Sequence, residues 1–596
     1  MPLVGRKIEI THAHFGDMVR GQCLLVDKTL MIKDFFEGQK ASLILRPRRF
    51  GKTLTMSMLQ HFFSKAVAGE STAGLFDPFA IAQVDSGEFL KHHQGQYPVI
   101  SVTFKDLKEL SYPDTVCHFR HLTQQLYREH IPSLSSTSKE LTTAHKSLFQ
   151  DYLTGSVDDT QLPLALAFLS EFLFKAHAKK AIILIDEYDS PLNTAYLYNY
   201  LDPLSNFMRN LLSAALKDNP YLEKGLMTGI LRVSKNQMLS ELNNLKIHMV
   251  LDESFNNYFG FTEHEVTELI QHTQADHSLE EMRPFYNGYS MGGEIIYNPW
   301  SVMNYLDNKK LSYYWVLTSN DLLLKKVLLN SSDETKEKLS QLMQGNTIEG
   351  SININVRYQD LFDKQDSLFT LLLFAGYLTY AGYDETEKLE YRCQLRIPNK
   401  EVLAQYISIF KDYLEEKLGQ VKYDTFLKSL LVGDVQHFTD QLSHYLLDSF
   451  SVKDTPATFN AEHVYYALML GLVASVRITH QVDSNRESGT GFYDIALCPI
   501  SPTYSTAVIF ELKYMNITST TDPKNIHALL ATEAEKGLQQ IKDRQYETAV
   551  KRSPYVKNII KTGLAFSGKR VVSAYQVQED DVIISQVAKQ ERNKEY

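Results

Sequence analysis

Residues 46–53 read Arg46-Pro47-Arg48-Arg49-Phe50-Gly51-Lys52-Thr53, preceded by the apolar run Ser42–Leu45 and followed by the amphipathic stretch LTMSMLQHFFSKA. A lysine and a hydroxyl at the junction of a strand and a helix suit phosphate, because loop N–H groups and the helix N-terminus converge there. In that reading Lys52 neutralises the β- and γ-phosphates, Thr53 ligates Mg²⁺, and Gly51 lets the chain pass close to the phosphates. The whole stretch Arg46 to Thr53 is the candidate ATP-binding loop. It departs from GxxxxGK[ST] at its head, where Arg46 replaces a glycine that ordinarily permits a tight turn, and arginine does not easily take φ > 0. Pro47 offers a different loop path.

A second run, Ala181–Ile185, ends in Asp186 and Glu187. An apolar strand closing on two acids is the Walker B arrangement, with Asp186 on Mg²⁺ and Glu187 polarising the attacking water. Further on, Thr228 is a candidate for the γ-phosphate region and Arg232 for a charge-stabilising arginine. The alternative for the basic loop is that Arg46, Arg48 and Arg49 touch nucleic acid instead of ATP.

Near the other end, Asp494 lies on one expected strand and Glu511 and Lys513 on the next. Residues i and i+2 of a strand share a face, so Glu511 and Lys513 project together. Two carboxylates meeting there, Asp494 and Glu511, can hold Mg²⁺, which activates water in phosphodiester hydrolysis, while Lys513 steadies developing charge. Glu462, ahead of an apolar helix with Tyr466 one turn on, and Gln540, on a later helix, are further candidates.

The elements that must position these groups can be read from periodicity. The first 260 residues alternate short apolar runs with amphipathic stretches, the pattern of a parallel sheet covered by helices. The expected strands are 42–46, 97–104, 181–186, 224–231 and 247–252. Residues 262–450 read mostly as helices (320–344, 401–418, 423–447), with a small alternating segment at 351–356. The uncharged run 367–383 reads as a buried helix and a following turn, too short and too interrupted for a membrane span. Tyr286–Tyr289, Trp300 and Trp315 read as turn and core positions. From residue 461 a smaller α/β unit is expected: a helix at 461–476, strands at 491–499 and 506–514, a helix around 533–546 and a strand near 563–566. The expected domains are 1–265, 266–455 and 456–596, with the middle one a connector and 588–596 a frayed tail.

The chain has 596 residues, a net charge of −10, 44% hydrophobic and 22% charged residues, the composition of a globular rather than a disordered or membrane-embedded protein. Negative net charge argues against a generally basic surface but leaves a local nucleic-acid groove open. Cys23, Cys117, Cys393 and Cys498 lie far apart without zinc-ligand spacing, as expected of free thiols in a reducing cytosol. No signal-peptide pattern opens the chain. A cytoplasmic protein without membrane contact is expected, and a homo-oligomer is compatible with the reading.

The phrases LLVDKT (24–29), LRPRRFGKT (45–53), LIDEYDSP (184–191), TGILRVSK (228–235), FGFTEHEV (259–266) and FYNGY (285–289) resemble the AAA-ATPase-like proteins of bacteria that carry a C-terminal PD-(D/E)XK nuclease-like domain. That family also lacks the first glycine, so the resemblance makes Arg46 a shared trait. Its similarity to signalling and defence ATPases implies a Walker B strand lying beyond the Thr228 strand. The role of Asp27 and Lys28 does not follow from the residues. At the C-terminus the resemblance implies a restriction-endonuclease-like α/β domain built on Asp494, Glu511, Lys513, Glu462 and Gln540. Two positions depart from it: Phe492 stands where family members usually have Arg, and Tyr466 where they have His.

The expected function is an ATPase coupled to a Mg²⁺-dependent nuclease acting on nucleic acid, DNA being the expected form. The alternative is a nucleotide-dependent switch whose C-terminal domain only binds nucleic acid or a protein partner.

Overall fold

The computed structural model describes residues 3–10, 13–131, 141–232, 242–315, 333–343, 345–353, 360, 364–385, 391–406, 408–409, 420–449, 465, 469, 472–473, 476, 479–488, 491–515, 523–567, 570–579 and 582–587. The chain forms two compact units, 1–327 with 349–402, and 328–348 with 403–596. The stretch expected as a connector thus contributes residues to both.

The first unit is built on five parallel strands, β1 (Ala41–Leu45), β2 (Val99–Thr103), β3 (Ala181–Asp186), β4 (Leu222–Gly229) and β5 (Leu245–His248), in the order β2-β3-β4-β1-β5. Every residue of β1 and β3 is buried. Sheets covered on both faces demand such continuous apolar strands. The β3 strand lies beyond β4 from β1, as the resemblance implies. Register brings the carboxyl ends level: Leu45 pairs with Gly229, Ile185 with Met227, and Thr103 with Asp186. The edge so formed, where chain order reverses about β1, is where open α/β sheets hold ligands.

Helix α1 (Lys52–Phe63) comes directly after the loop that leaves β1; α2 (Tyr112–Glu129) begins at Ser111, whose side chain accepts from the Asp114 N–H. Such caps satisfy amides that have no partner inside the helix. Beyond β5 come short antiparallel strands as well as helices. β6 (Phe261–Thr262), β7 (Tyr289–Met291) and β8 (Glu294–Tyr297) form one sheet, with α3 (Glu263–Thr273) and α4 (Pro299–Asn308) packed in the cluster of Val266, Leu269, Tyr286, Val302 and Tyr305. The uncharged run contains the expected buried helix, α5 (Gln365–Ala375), ended by Gly376 at φ 87°. Past that glycine the chain does more than turn: β9 (Thr379–Glu385) pairs with β10 (Tyr391–Arg396).

The second unit contains a six-stranded mixed sheet, β11 (His480–Ser488), β12 (Gly491–Pro499), β13 (Thr506–Tyr514), β14 (Asn558–Ser567), β15 (Arg570–Glu579) and β16 (Val582–Val587), in sequence order across the sheet. Only the β13/β14 pair is parallel. That crossover is made by α6 (Pro523–Asp543), which packs Leu530, Ala534 and Leu538 against Ala565, Val572 and Ala574. Of the expected elements, residues 320–332, 344, 354–356, 407 and 410–418, most of the helix at 461–476 and the tail 588–596 lie outside the described residues.

Candidate functional sites

At the first site, β1 ends at Leu45 and the loop closes onto α1 at Gly51, whose φ of 85° only glycine adopts freely. The second left-handed residue is Arg49, at φ 67°, while Arg46 is not among the positive-φ residues. Arg46 itself therefore carries no left-handed strain at the position of the first glycine. Its N–H donates to Gly229 O at 3.2 Å.

The Arg46 side chain is turned away from the phosphate position expected of it. It is fully buried, donates to the carbonyls of Leu45 (2.9 Å), His248 (3.3 Å) and Ser254 (3.1 Å), and lies 5.6 Å from the Phe259 ring centroid. Burial lowers its pKa to about 10. Arg49 also points outward, donating to Trp315 O and stacking 4.6 Å over Trp300, while Phe50 packs on Tyr289 and Pro47 meets Gly376. Of the three arginines, Arg48 acts electrostatically on both Lys52 and Glu187. The loop is thus held by its back against the β7–β10 region, with Trp315 anchored through its N–H on Glu401.

Lys52 is buried, and its ammonium donates to the carbonyls of Arg46 (2.9 Å) and Pro47 (2.8 Å). Burial lowers its pKa, against the attraction of Glu187 and Asp186. Thr53 Oγ1 donates to Asp186 Oδ2 at 2.7 Å, joining loop and β3 across the site. Thr228 Oγ1 donates to Asp186 Oδ1 and accepts from the Glu187 N–H at 3.4 Å. Its hydroxyl thus holds the acid pair, at the same end of the sheet as Lys52 and Thr53. Glu187 sits at φ 52°, and burial raises its pKa. A strained backbone at an acid is tolerated when surrounding bonds fix it.

Asp189, part of the LIDEYDSP phrase but given no role there, adds a third acid whose charge acts on Lys52 and Glu187. It is buried and accepts from the N–H groups of Ile230 (2.8 Å) and Leu231 (3.0 Å), tying the turn after β3 to the end of β4. A Cβ at Gly229 would lie 2.6 Å from the Tyr188 ring and 3.0 Å from Asp189 Oδ1, so that position requires glycine. Arg232 is half-buried, and burial lowers its pKa. The VDKT phrase also acquires a role. Asp27 accepts from Thr29 and from Ala80 N, and Lys28 reaches both Glu265 oxygens at 2.6 and 2.7 Å, where Glu265 completes the capping box of α3.

At the second site, β12 and β13 pair at Ile495–Phe510, Ala496–Ile509 and Leu497–Val508 and then part. Asp494 is the first residue beyond the pairing, and its Oδ2 accepts the Leu512 N–H at 2.7 Å. Glu511 and Lys513 share a face, as expected: Lys513 Nζ donates to Glu511 Oε1 (3.0 Å) and Gln540 Oε1 (2.9 Å), and Gln540 Nε2 also donates to Glu511 Oε1. Four of the candidates therefore meet from two strands and α6. Close helix approach makes this possible: a Cβ on Gly537 would lie 3.3 Å from Gly563 Cα, and one on Gly563 only 2.1 Å from Ala534 O.

Glu511 is 3% exposed, and its Oε2 is buried without a hydrogen-bond partner. Burial and the nearby Asp494 charge push its pKa up to about 7, outweighing Lys513. An orphaned carboxylate oxygen beside a second carboxylate fits a divalent cation, a hard ion taking oxygen ligands. Among the described residues no group of three or more His, Cys, Asp or Glu forms such a cluster. Glu462 and Tyr466 lie outside the described residues. The described cysteines are free thiols, and among the described residues no helix is long and apolar enough to cross a membrane.

A phosphate-loop sheet in one part of the chain and a carboxylate-lysine strand pair in another define a P-loop ATPase-type protein with an appended nuclease-type fold. Residues 9–239 match the family model described as predicted AAA-ATPase, and residues 460–576 that of the PD-(D/E)XK nuclease superfamily. The chain therefore has the architecture of the AAA-ATPase-like proteins with a C-terminal PD-(D/E)XK nuclease-like domain. A relative, an uncharacterized protein in the vnfD 5′ region of Azotobacter chroococcum mcd 1, is 24% identical over 545 residues, covering 87% of this chain and 89% of that protein. Among solved structures, a signal transduction ATPase with numerous domains and a tetratricopeptide repeat sensor from Pyrococcus horikoshii aligns at 13% identity and TM-score 0.24, covering 76% of this chain and 58% of that one.

Proposed function

We propose that the chain binds and hydrolyses ATP with Mg²⁺ at the first site, and that this controls Mg²⁺-dependent cleavage of nucleic-acid phosphodiesters, DNA foremost, at the second. The observation that carries the reading is the buried Glu511 oxygen without a hydrogen-bond partner, set beside Asp494 with Lys513 and Gln540 fixed against the other oxygen. The ATP arm is supported by Thr53 and Asp186, 133 residues apart and 2.7 Å from one another, with Lys52 beneath the same loop.

At the first site Thr53 and Asp186 would hold the ion, Lys52 would move from the loop carbonyls to the phosphates, and Arg48 would face the same charge. Glu187, its basicity raised by burial, takes a proton from the water that attacks the γ-phosphorus. At the second, Asp494 and the free Glu511 oxygen would hold the ion. A bound Mg²⁺ supplies Lewis acidity and an acidified water there. Hydrolysis adds water across a phosphorus–oxygen bond, hydroxide to phosphorus and a proton to the departing oxygen, while Lys513 steadies the charge gathering between them. Residues 266–455 are the proposed coupling region, and a reducing, ATP-supplied cytoplasm suits both sites.

The second reading is a nucleotide-dependent switch whose C-terminal unit only binds nucleic acid or a partner. It is favoured by the meeting of two carboxylates, rather than three, among the described residues. Labelled single- and double-stranded DNA and RNA, incubated with Mg²⁺ and with or without ATP, separate the two. Cleavage that Asp494→Ala and Glu511→Ala both abolish supports the nuclease; wild type cutting no better than these variants rejects it. Unchanged ATP affinity in Lys52→Ala would reject the loop assignment.

A further inference from the structure

Gly491 opens β12, three residues before Asp494, in a conformation that does not call for glycine, since it is absent from the positive-φ residues. What calls for it is a side chain from elsewhere. A Cβ at Gly491 would stand 2.6 Å from Arg544 Cδ, 2.7 Å from Arg544 Nη1 and 3.1 Å from the Tyr546 hydroxyl. The Arg544 side chain therefore lies across the strand in the space the glycine leaves.

Arg544 comes just after the last turn of α6, and its N–H donates to Gln540 O at 3.1 Å. That spacing of four puts it above Gln540, the residue touching Glu511 and Lys513. Tyr546, buried and 3.4 Å from Gln540 Nε2, floors the same corner and packs on Tyr493 of β12. Arg544 is exposed, and its positive charge acts on Glu511. Lys513, by contrast, already spends two of its three donors on Glu511 and Gln540.

We propose that Arg544 is a phosphate-binding residue of the second site, its guanidinium laid over Gly491 to contact the non-bridging oxygens of the phosphodiester held beside Glu511 and Lys513. The proposal rests on the reading of that site as one for nucleic acid. A guanidinium suits the task because its planar fork matches two phosphate oxygens at once, which an ammonium does not. In the hydrolysis at this site Arg544 exchanges no proton and breaks no bond.

The test is binding of labelled double-stranded DNA to the full-length chain by fluorescence anisotropy across a salt series, with Ca²⁺ replacing Mg²⁺, alongside cleavage in Mg²⁺. Arg544→Ala is expected to weaken binding roughly tenfold and to lower the slope of log K against log salt by about 0.9, the loss of one phosphate contact. Arg544→Lys should keep the slope and lose most of the cleavage rate. Gly491→Ala, which displaces the guanidinium while leaving it in the chain, should reproduce Arg544→Ala. An Arg544→Ala protein with wild-type slope and affinity, and unchanged thermal midpoint, overturns the proposal whether or not the wild type cuts. A wild type that binds with an Arg544-dependent slope but cuts no better than Asp494→Ala upholds the phosphate contact and rejects only the cleavage reading. A wild type that binds no nucleic acid overturns both.

Discussion

Replacing Glu511 by Gln should make the second unit more stable at alkaline pH while removing its affinity for divalent metal. The amide keeps the oxygen that accepts from Lys513 and Gln540, and places its nitrogen where the carboxylate has an oxygen without a partner. The magnitude is set by linkage. The folded-state pKa is about 7, against an ordinary value of 4.5, so between these values the folded protein holds a proton that the unfolded chain has lost. Stability from this group is complete below pH 4.5 and disappears as pH rises through 7, a loss of about 3 kcal/mol at ~1.4 kcal/mol per pH unit. Glu511→Gln has no such loss. Chemical or thermal unfolding of variant and wild type at pH 5 and pH 8.5 should therefore show their difference swinging by about 3 kcal/mol in favour of the variant. Mg²⁺ should stabilise the wild type, by about 1.4 kcal/mol at tenfold excess over Kd, more at pH 8.5 than at pH 5, and the variant at neither. A variant-to-wild-type difference that stays flat with pH, or equal stabilisation of both proteins by Mg²⁺, would refute the assignment of Glu511 as a buried metal-facing acid.

Three further outcomes are expected. Gly563→Ala should cost more than about 3 kcal/mol or prevent folding, because its methyl would meet Ala534 O at 2.1 Å; Gly537→Ala, whose nearest neighbour is at 3.3 Å, should cost only about 1 kcal/mol. Equal denaturant midpoints for the two would contradict the close helix crossing. Lys28→Met should destabilise the first unit by about 3–5 kcal/mol by stranding Glu265, and the double variant with Glu265→Gln should recover much of this in a double-mutant cycle; additive losses would count against the pair. Arg46→Gly, which restores the usual glycine, should lower the unfolding midpoint instead of improving nucleotide affinity, since it removes three hydrogen bonds to carbonyls, two of them fully buried. Tighter nucleotide binding at an unchanged midpoint would return Arg46 to the loop's concave side.

The nucleotide-binding sheet was legible because strands buried on both faces leave uninterrupted apolar runs, so all five were placed within a few residues. The added strands beyond β5 were less so. β7 and β8 are short, and the Gly292-Gly293 turn between them was the available cue. β9 continues an apolar run already assigned to a helix, and Gly376 at φ 87° marks the change. β11 is a polar edge strand, His480–Ser488, with no alternation to betray it. Candidates were named where a motif marks them, as with Glu511 and Lys513 two apart on one strand, or Thr53 and Asp186 in paired motifs. Residues that carry no such mark and act through a partner far along the chain were not: Asp189 works on the end of β4, and Lys28 on Glu265.

The loop arginines show why direction is harder to read than identity. Three cations beside a phosphate motif suggest three phosphate ligands, since spacing along a chain says nothing about the side to which each turns. Burial decides it. The carbonyls of His248 and Ser254 and the ring of Phe259, some 200 residues away, draw Arg46 beneath the loop. The turn that a leading glycine would provide passes to Arg49, whose left-handed backbone costs about 1–2 kcal/mol. Stacking of its guanidinium on Trp300 offsets part of that cost, at about 0.5–2 kcal/mol. The loop's shape thus depends on side chains of the region behind it. A change in the loop's backbone at Arg49 must then disturb its contacts with Trp300 and Trp315.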